Sequence, residues 1–230
     1  MPRRLTRSRE RGGRSLQGFY RRLFRAFGPQ QWWPARSAYE MMVGAILTQA
    51  TNWHNVEQAI GTLRAAGALH PRQLLALPRG RLERAVRSAG YFRQKAARLR
   101  ALTRWFVARY GGSPARMFQT PWRLLRHELL ALHGIGPETA DSILLYGGGQ
   151  PVFVVDAYTR RVFRRHQLIP KRATYEDIQS LAMSRLPARA PLYNEFHALL
   201  VLVGKRYCHR RDPACGQCPL ETLPHTREVL

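Results

Sequence analysis

The stretch from Leu132 to Arg165, LHGIGPETADSILLYGGGQPVFVVDAYTRRVFRR, constrains this chain more than any other. Its first part reads as a helix, a tight glycine turn and a second helix. Leu132 closes an apolar-periodic run, and Gly134 and Gly136 flank Ile135, whose side chain plugs the turn into a core. Pro137 suits a first helical position, where its missing N–H costs nothing and its φ is already helical. Glu138 and Asp141 fall in the first turns, where negative charge suits the helix dipole. Glycines let a ligand approach the backbone closely, and free N–H groups at a helix start attract anions. The second part is an apolar run, Val152 to Val155, which ends in Asp156 and is followed by Ala157-Tyr158-Thr159-Arg160-Arg161. Asp156 is placed either to cap the helix that starts there or to present a carboxylate to whatever the glycine turn holds. The residues alone leave both readings open.

Charge says what kind of anion to expect. Lys plus Arg number 38 against 14 Asp plus Glu, a formal net charge of +24 in 230 residues. Such an excess points to a polyanionic partner and to salt-sensitive binding. Nearly all of it is arginine, since Lys95, Lys171 and Lys205 are the only lysines. The length allows one large domain or two small helical ones. No apolar run reaches the roughly 18 residues of a membrane span. Residues 1–15 are Arg-rich without an apolar core, so they read as a disordered basic tail rather than a secretory signal. Cys208, Cys215 and Cys218 lie close together, which favours a metal or cluster site over disulfides. The compartment expected is the cytoplasm, at the nucleoid.

In chain order, apolar spacing predicts a helix from Leu16 to Phe27, stopped by Gly28-Pro29. Trp32-Trp33-Pro34 follows in a loop, as a core anchor or as an aromatic platform for an electron-poor ring. The segment from Tyr39 predicts two helices broken near Gln49 to Asn52, the first apolar nearly all round and therefore buried. Further helical patterns cover 71–78, 80–89, 95–110, 121–131, about 174–186 and 193–203. The late segment YNEFHALLV is read as apolar. No strand alternation or internal repeat is visible, so the fold class is all-α, and without a coiled-coil repeat the expectation is a monomer.

LHGIGPETADSIL followed by VFVVDAYTRRVFRR resembles the helix–hairpin–helix, Gly/Pro-rich loop and aspartate of the endonuclease III superfamily of base-excision DNA glycosylases. The resemblance implies a six-helix domain at about 37–146, with the helix–hairpin–helix at about 121–146. It implies a second domain built from 16–36 and 147–230, carrying a cysteine loop at 208–218. It implies double-stranded DNA with a damaged base as partner, Gly134, Ile135 and Gly136 as the backbone grip, and Asp156 as the catalytic carboxylate. Gln49 would enter the gap left by the extruded nucleotide, and Tyr91, in the turn Gly90-Tyr91-Phe92-Arg93-Gln94-Lys95, would wedge into the base stack. Packing of Tyr91 and Phe92 in the core is the alternative.

Two departures shape the functional expectation. Bifunctional members carry a Schiff-base lysine two residues after the second hairpin glycine, where this chain has Glu138. A carboxylate cannot form a Schiff base, so the expectation is a monofunctional glycosylase. Glu138, with Trp32, Trp33 and the VGAILTQAT segment, is similar to the 3-methyladenine glycosylase branch, which implies a pocket for an alkylated purine. That branch has a lysine in the late helix, which YNEFHALLV does not supply. Cys208-x6-Cys215-x2-Cys218 matches three ligands of the family's [4Fe–4S] loop, whose fourth cysteine would fall at Pro224. His225, His209 or an exogenous ligand would complete the cluster; zinc or an empty loop are the alternatives. Competing readings are an endonuclease III-type thymine-glycol or mismatch glycosylase with lyase activity, and a catalytically silent DNA-binding module.

Overall fold

The structure, a computed structural model, describes residues 15–227, so the tail expected at 1–15 lies outside the described residues apart from Ser15. All regular elements among them are helical, with no strand. The chain divides into two compact units, one formed by Trp33–Gln150 and the other by the residues before and after it.

The N-terminal part of the split unit is α1, Leu16–Phe27. Ser15 starts it by accepting a hydrogen bond from the Gly18 N–H, and Gly28 ends it at φ +67.

The continuous unit opens with α2, Ala38–Leu47, capped by Ser37, whose residues from Tyr39 to Leu47 are all buried as its apolar circumference requires. Then come α3 (Trp53–Ala65, capped by Asn52), α4 (Pro71–Ala76) and α5 (Arg79–Ala85). A 3-10 turn at Arg87–Ala89 leads through Gly90 into the long α6, Phe92–Tyr110. α7, Pro114–Gln119, was not legible as a helix, although Ser113 caps it and Pro114 takes its first position. α8 is Trp122–Leu130, and after the hairpin α9 is Pro137–Ser142, continued by a π-helical turn at Ile143–Gly147.

α8 and α9 are clamped by charge. Asp141 is fully buried and receives both Nε (2.7 Å) and Nη2 (3.1 Å) of Arg126. The sequence reading of Asp141 as a dipole partner thus yields to a bidentate ion pair, the geometry in which a buried carboxylate is best compensated.

The returning chain completes the split unit. Val152 to Val155 run without regular structure through the core. α10 is Ala157–Arg165, α11 is Tyr175–Arg185 with a capping box between Thr174 and Asp177, and α12 is Ala190–Arg206. α10 and α12 pack closely because Gly204 has no side chain where the Tyr158 ring lies; a Cβ there would meet it at 2.3 Å. Arg161 locks the register by donating to the carbonyls of Cys208 (2.5 Å) and Gly204 (3.0 Å).

Candidate active site

In the continuous unit, the turn at Gly134–Gly136 is built as its spacing predicts. Ile135 is buried, and its N–H closes the turn on the Leu132 carbonyl. Gly134 sits at φ +82, and a Cβ there would lie 2.2 Å from Nε of Arg98, so the position admits only glycine without rearrangement. Gly136 heads α9 with no side-chain cap, and no atom lies within 4 Å of where its Cβ would be. Glu138 occupies the first turn of α9.

Gln49 braces this turn. Its Nε2 donates to the Gly134 carbonyl and to Thr139 Oγ1, both at 3.0 Å, while its Oε1 accepts from Arg98 at 2.5 Å. A glutamine so engaged must release these bonds before it can fill a gap in DNA. Lys95, one of three candidate amines, is engaged more deeply: its Nζ is buried and donates to the carbonyls of Leu47 (2.8 Å) and Ala89 (2.7 Å). Burial, with Arg98 nearby, holds its pKa down at about 8.

Tyr91 is 66% exposed, which removes the core-packing alternative for it; Phe92 is half-buried. It adopts φ 45, ψ 35 just ahead of α6, a left-handed conformation uncommon for a bulky residue. Trp33 lies edge-on to Trp53 (5.1 Å) and tilted on Tyr146 (5.3 Å), and Gly44 leaves space for its indole, 3.3 Å from a virtual Cβ. The two indoles, Trp33 and Trp53, border a cavity of about 310 Å³, also lined by Glu40, Glu57 and Arg64. Glu40 is buried and paired with Arg64 at 2.8 Å. Trp53, Glu40 and Tyr146 were not singled out from sequence, because nothing in the spacing connects them to Trp33. Trp32 falls in the other unit.

In the split unit, Asp156 is indeed the cap of α10: its Oδ1 accepts the Thr159 N–H at 2.6 Å. The segment before it is tied down by Gln179, which donates to the Phe153 carbonyl (2.7 Å), and by the Val155 N–H, which donates to the Tyr175 hydroxyl. The second carboxylate oxygen, Oδ2, lies 3.7 Å from Nε2 of His197 on α12. The late helix is therefore not wholly apolar, as the sequence suggested: a buried histidine faces the aspartate. A lone histidine inside a run of hydrophobes was the available signal.

The three cysteines are free thiols that border one small cavity together with His166 and His225. Cys208 Sγ accepts from the buried guanidinium of Arg165 (3.1 Å), which also donates to the carbonyls of His209 and Arg210. Cys218 Sγ accepts from the Leu220 N–H, and burial pushes its thiol up to about 11. His225 directs Nδ1 at the Leu223 carbonyl (2.8 Å) and His166 directs its own at the Pro224 carbonyl (3.0 Å). Among the described residues no three His, Cys, Asp or Glu side chains stand grouped to hold a metal ion.

Comparison with known proteins agrees with this architecture. Residues 43–188 match the HhH-GPD superfamily of base excision DNA repair proteins. The "Putative DNA repair glycosylase" of Methanocaldococcus jannaschii is 42% identical over 204 residues, covering 88% of this chain and 92% of that one. A non-covalent endonuclease III–DNA complex superposes with a TM-score of 0.78 at 22% identity, covering 91% of this chain and 93% of that one, which speaks to the fold. The Helicobacter pylori 3-methyladenine DNA glycosylase bound to 1,N6-ethenoadenine gives 0.68 at 27% identity, covering 83% and 94%. This chain belongs to the HhH-GPD superfamily and is a DNA repair glycosylase of the endonuclease III fold.

Proposed function

We propose that this glycosylase is monofunctional: it binds duplex DNA, takes a damaged base out of the stack, and hydrolyses its N-glycosidic bond with Asp156 as the catalytic carboxylate. The carrying observation is the placement of Asp156, whose Oδ1 is bound to the Thr159 N–H while Oδ2 lies 3.7 Å from Nε2 of His197, outside hydrogen-bond range. Breaking the bond builds positive charge on the sugar, and a carboxylate held in place stabilises that charge and orients the attacking water. Hydrolysis is favoured over lyase chemistry because Glu138 stands where the bifunctional relatives place their lysine. The amine of Lys95 is buried and donates to two carbonyls.

The base proposed is an alkylated purine, 3-methyladenine in the first place. Its cationic ring suits electron-rich aromatic walls, which Trp33 and Trp53 supply, and its weakened bond needs little acid assistance. Trp32 and Glu138 are proposed as further contacts to the base. The hairpin Gly134–Ile135–Gly136, braced by Gln49, grips the backbone. Tyr91, exposed and held apart from the core, supplies the wedge that offsets part of the unstacking cost.

The cysteine loop is proposed to hold a [4Fe–4S] cluster on Cys208, Cys215 and Cys218, with His225 as fourth ligand. The donor set fits: three thiols and an imidazole border one cavity, and the Leu223 carbonyl engages Nδ1 of His225, leaving Nε2 for iron. The bound cluster would supply cross-links that fix the loop on α10. Iron-to-protein stoichiometry and the visible absorption of an iron–sulfur centre test it; a metal-free protein of unchanged stability overturns it.

The function is tested by base release from duplexes carrying 3-methyladenine, thymine glycol or T opposite G, with borohydride trapping in parallel. Release of 3-methyladenine that leaves intact abasic sites is expected. Thymine-glycol release with strand nicking and a trapped adduct would place the protein with the lyases instead. Binding to all three duplexes with no base released would leave only a DNA-binding module.

A further inference from the structure

Asp156 has two oxygens and only one is held by its own helix. Oδ1 accepts the Thr159 N–H, so the orientation of the carboxylate depends on what stands beside Oδ2. The residue there is His197, from the middle of α12, 3.7 Å away through Nε2 and 6% exposed. Two independent features set this approach. Gly204 lets the Tyr158 ring sit against α12, and Arg161 ties α10 to the Gly204 and Cys208 carbonyls. The helix that carries the aspartate and the helix that carries the histidine are thus locked in register, and the histidine cannot be moved without moving the carboxylate.

We propose that His197 is a positioning residue for Asp156: in the Nε2–H tautomer it donates to Oδ2 and holds the carboxylate in one orientation during base excision. The inference rests on the reading of Asp156 as the catalytic carboxylate. A neutral imidazole suits this place better than a permanent cation. A neutral donor orients the carboxylate and leaves its negative charge in force for the developing sugar cation. Burial accordingly holds the imidazole's pKa below its ordinary value, with the Asp156 carboxylate opposing that shift in part. The separation of 3.7 Å is longer than a formed hydrogen bond, as catalytic contacts often are before substrate is bound.

The test is single-turnover base release by saturating enzyme, from whichever of the 3-methyladenine, thymine-glycol or T-opposite-G duplexes the wild type processes. The variants are His197→Leu, His197→Gln, His197→Asn, Asp156→Asn and the Asp156→Asn/His197→Leu double. His197→Leu is expected to slow release by roughly 10- to 100-fold, the effect of losing one hydrogen bond to a charged group, with DNA affinity and melting temperature near wild type. His197→Gln, which puts an N–H near the Nε2 position, is expected to recover most of the rate, and His197→Asn, which puts it near Nδ1, is not. In the Asp156→Asn background His197→Leu should add less than about twofold, because residues acting as a unit are non-additive. A wild-type rate for His197→Leu, or an equal loss in both backgrounds, overturns the proposal while leaving Asp156 catalytic. Should the leucine variant fail to fold, equal rates for the Gln and Asn variants overturn it. Undiminished release by Asp156→Asn would instead remove the catalytic reading, and the positioning role with it.

Discussion

α9 and α10 begin in opposite ways. α9 starts at Gly136, with no side chain to cap it and no atom where a Cβ would stand. α10 starts at Asp156, whose own carboxylate accepts the Thr159 N–H of the first turn and turns its other oxygen toward His197. An uncapped glycine start leaves backbone donors for an outside anion, and a capped start converts the same local geometry into a fixed negative charge. One side chain, present or absent, thus decides whether a helix start carries open backbone donors or a fixed negative charge.

The largest effect is expected where the hairpin helices are clamped together. Arg126→Ala leaves Asp141 of α9 buried without its bidentate partner, and a loss of about 3–5 kcal/mol is expected in chemical denaturation. The loss should not be repaired by lysine, which cannot reproduce the two-pronged contact. A change below about 1 kcal/mol would mean that the pair does not hold the hairpin helices.

Next in size is the exchange of one helix start for the other. Gly136→Ser gives α9 the side-chain cap it lacks, in open space. Stability should move by only a few tenths of a kcal/mol, while affinity for duplex DNA falls about tenfold, as for the loss of one hydrogen bond to a charged phosphate. Unchanged binding in a salt titration would take the hairpin out of the grip. Tyr91→Gly separates stability from work in the same unit. The left-handed conformation relaxes, worth about 1 kcal/mol, yet base release slows because the wedge is gone; equal release by both proteins would return Tyr91 to the ordinary surface.

The smallest effect is on pH. Lys95 titrates at about 8 in the folded protein and near 10.5 when unfolded. Between these values the unfolded chain holds a proton that the folded one releases, so stability rises with pH across the window and levels off above it. Lys95→Met should flatten that segment of the stability curve without creating or removing lyase activity.

What the sequence made legible was local. The Gly-x-Gly-Pro turn, the cap at Asp156 and the buried circumference of α2 all depend on residues a few positions apart. What stayed hidden was long-range pairing: Arg98 on Gln49, Arg126 on Asp141, Trp53 on Trp33 and His197 on Asp156. These partners are joined by the packing of helices whose order does not reveal their neighbours. A histidine in an apolar run carries no local mark of the aspartate it will meet. The cysteine loop lies between these cases, since its spacing was plain and the arginine supporting it, Arg165, was not.

The hydrolytic role proposed for Asp156 goes beyond capping α10. The most direct test is the single-turnover rate of base release by Asp156→Asn, a substitution that keeps the cap because asparagine serves that position equally well. A fall of about 100- to 1,000-fold is expected, with melting temperature and DNA affinity preserved. A rate within a fewfold of wild type would contradict it and leave Asp156 as a structural cap alone.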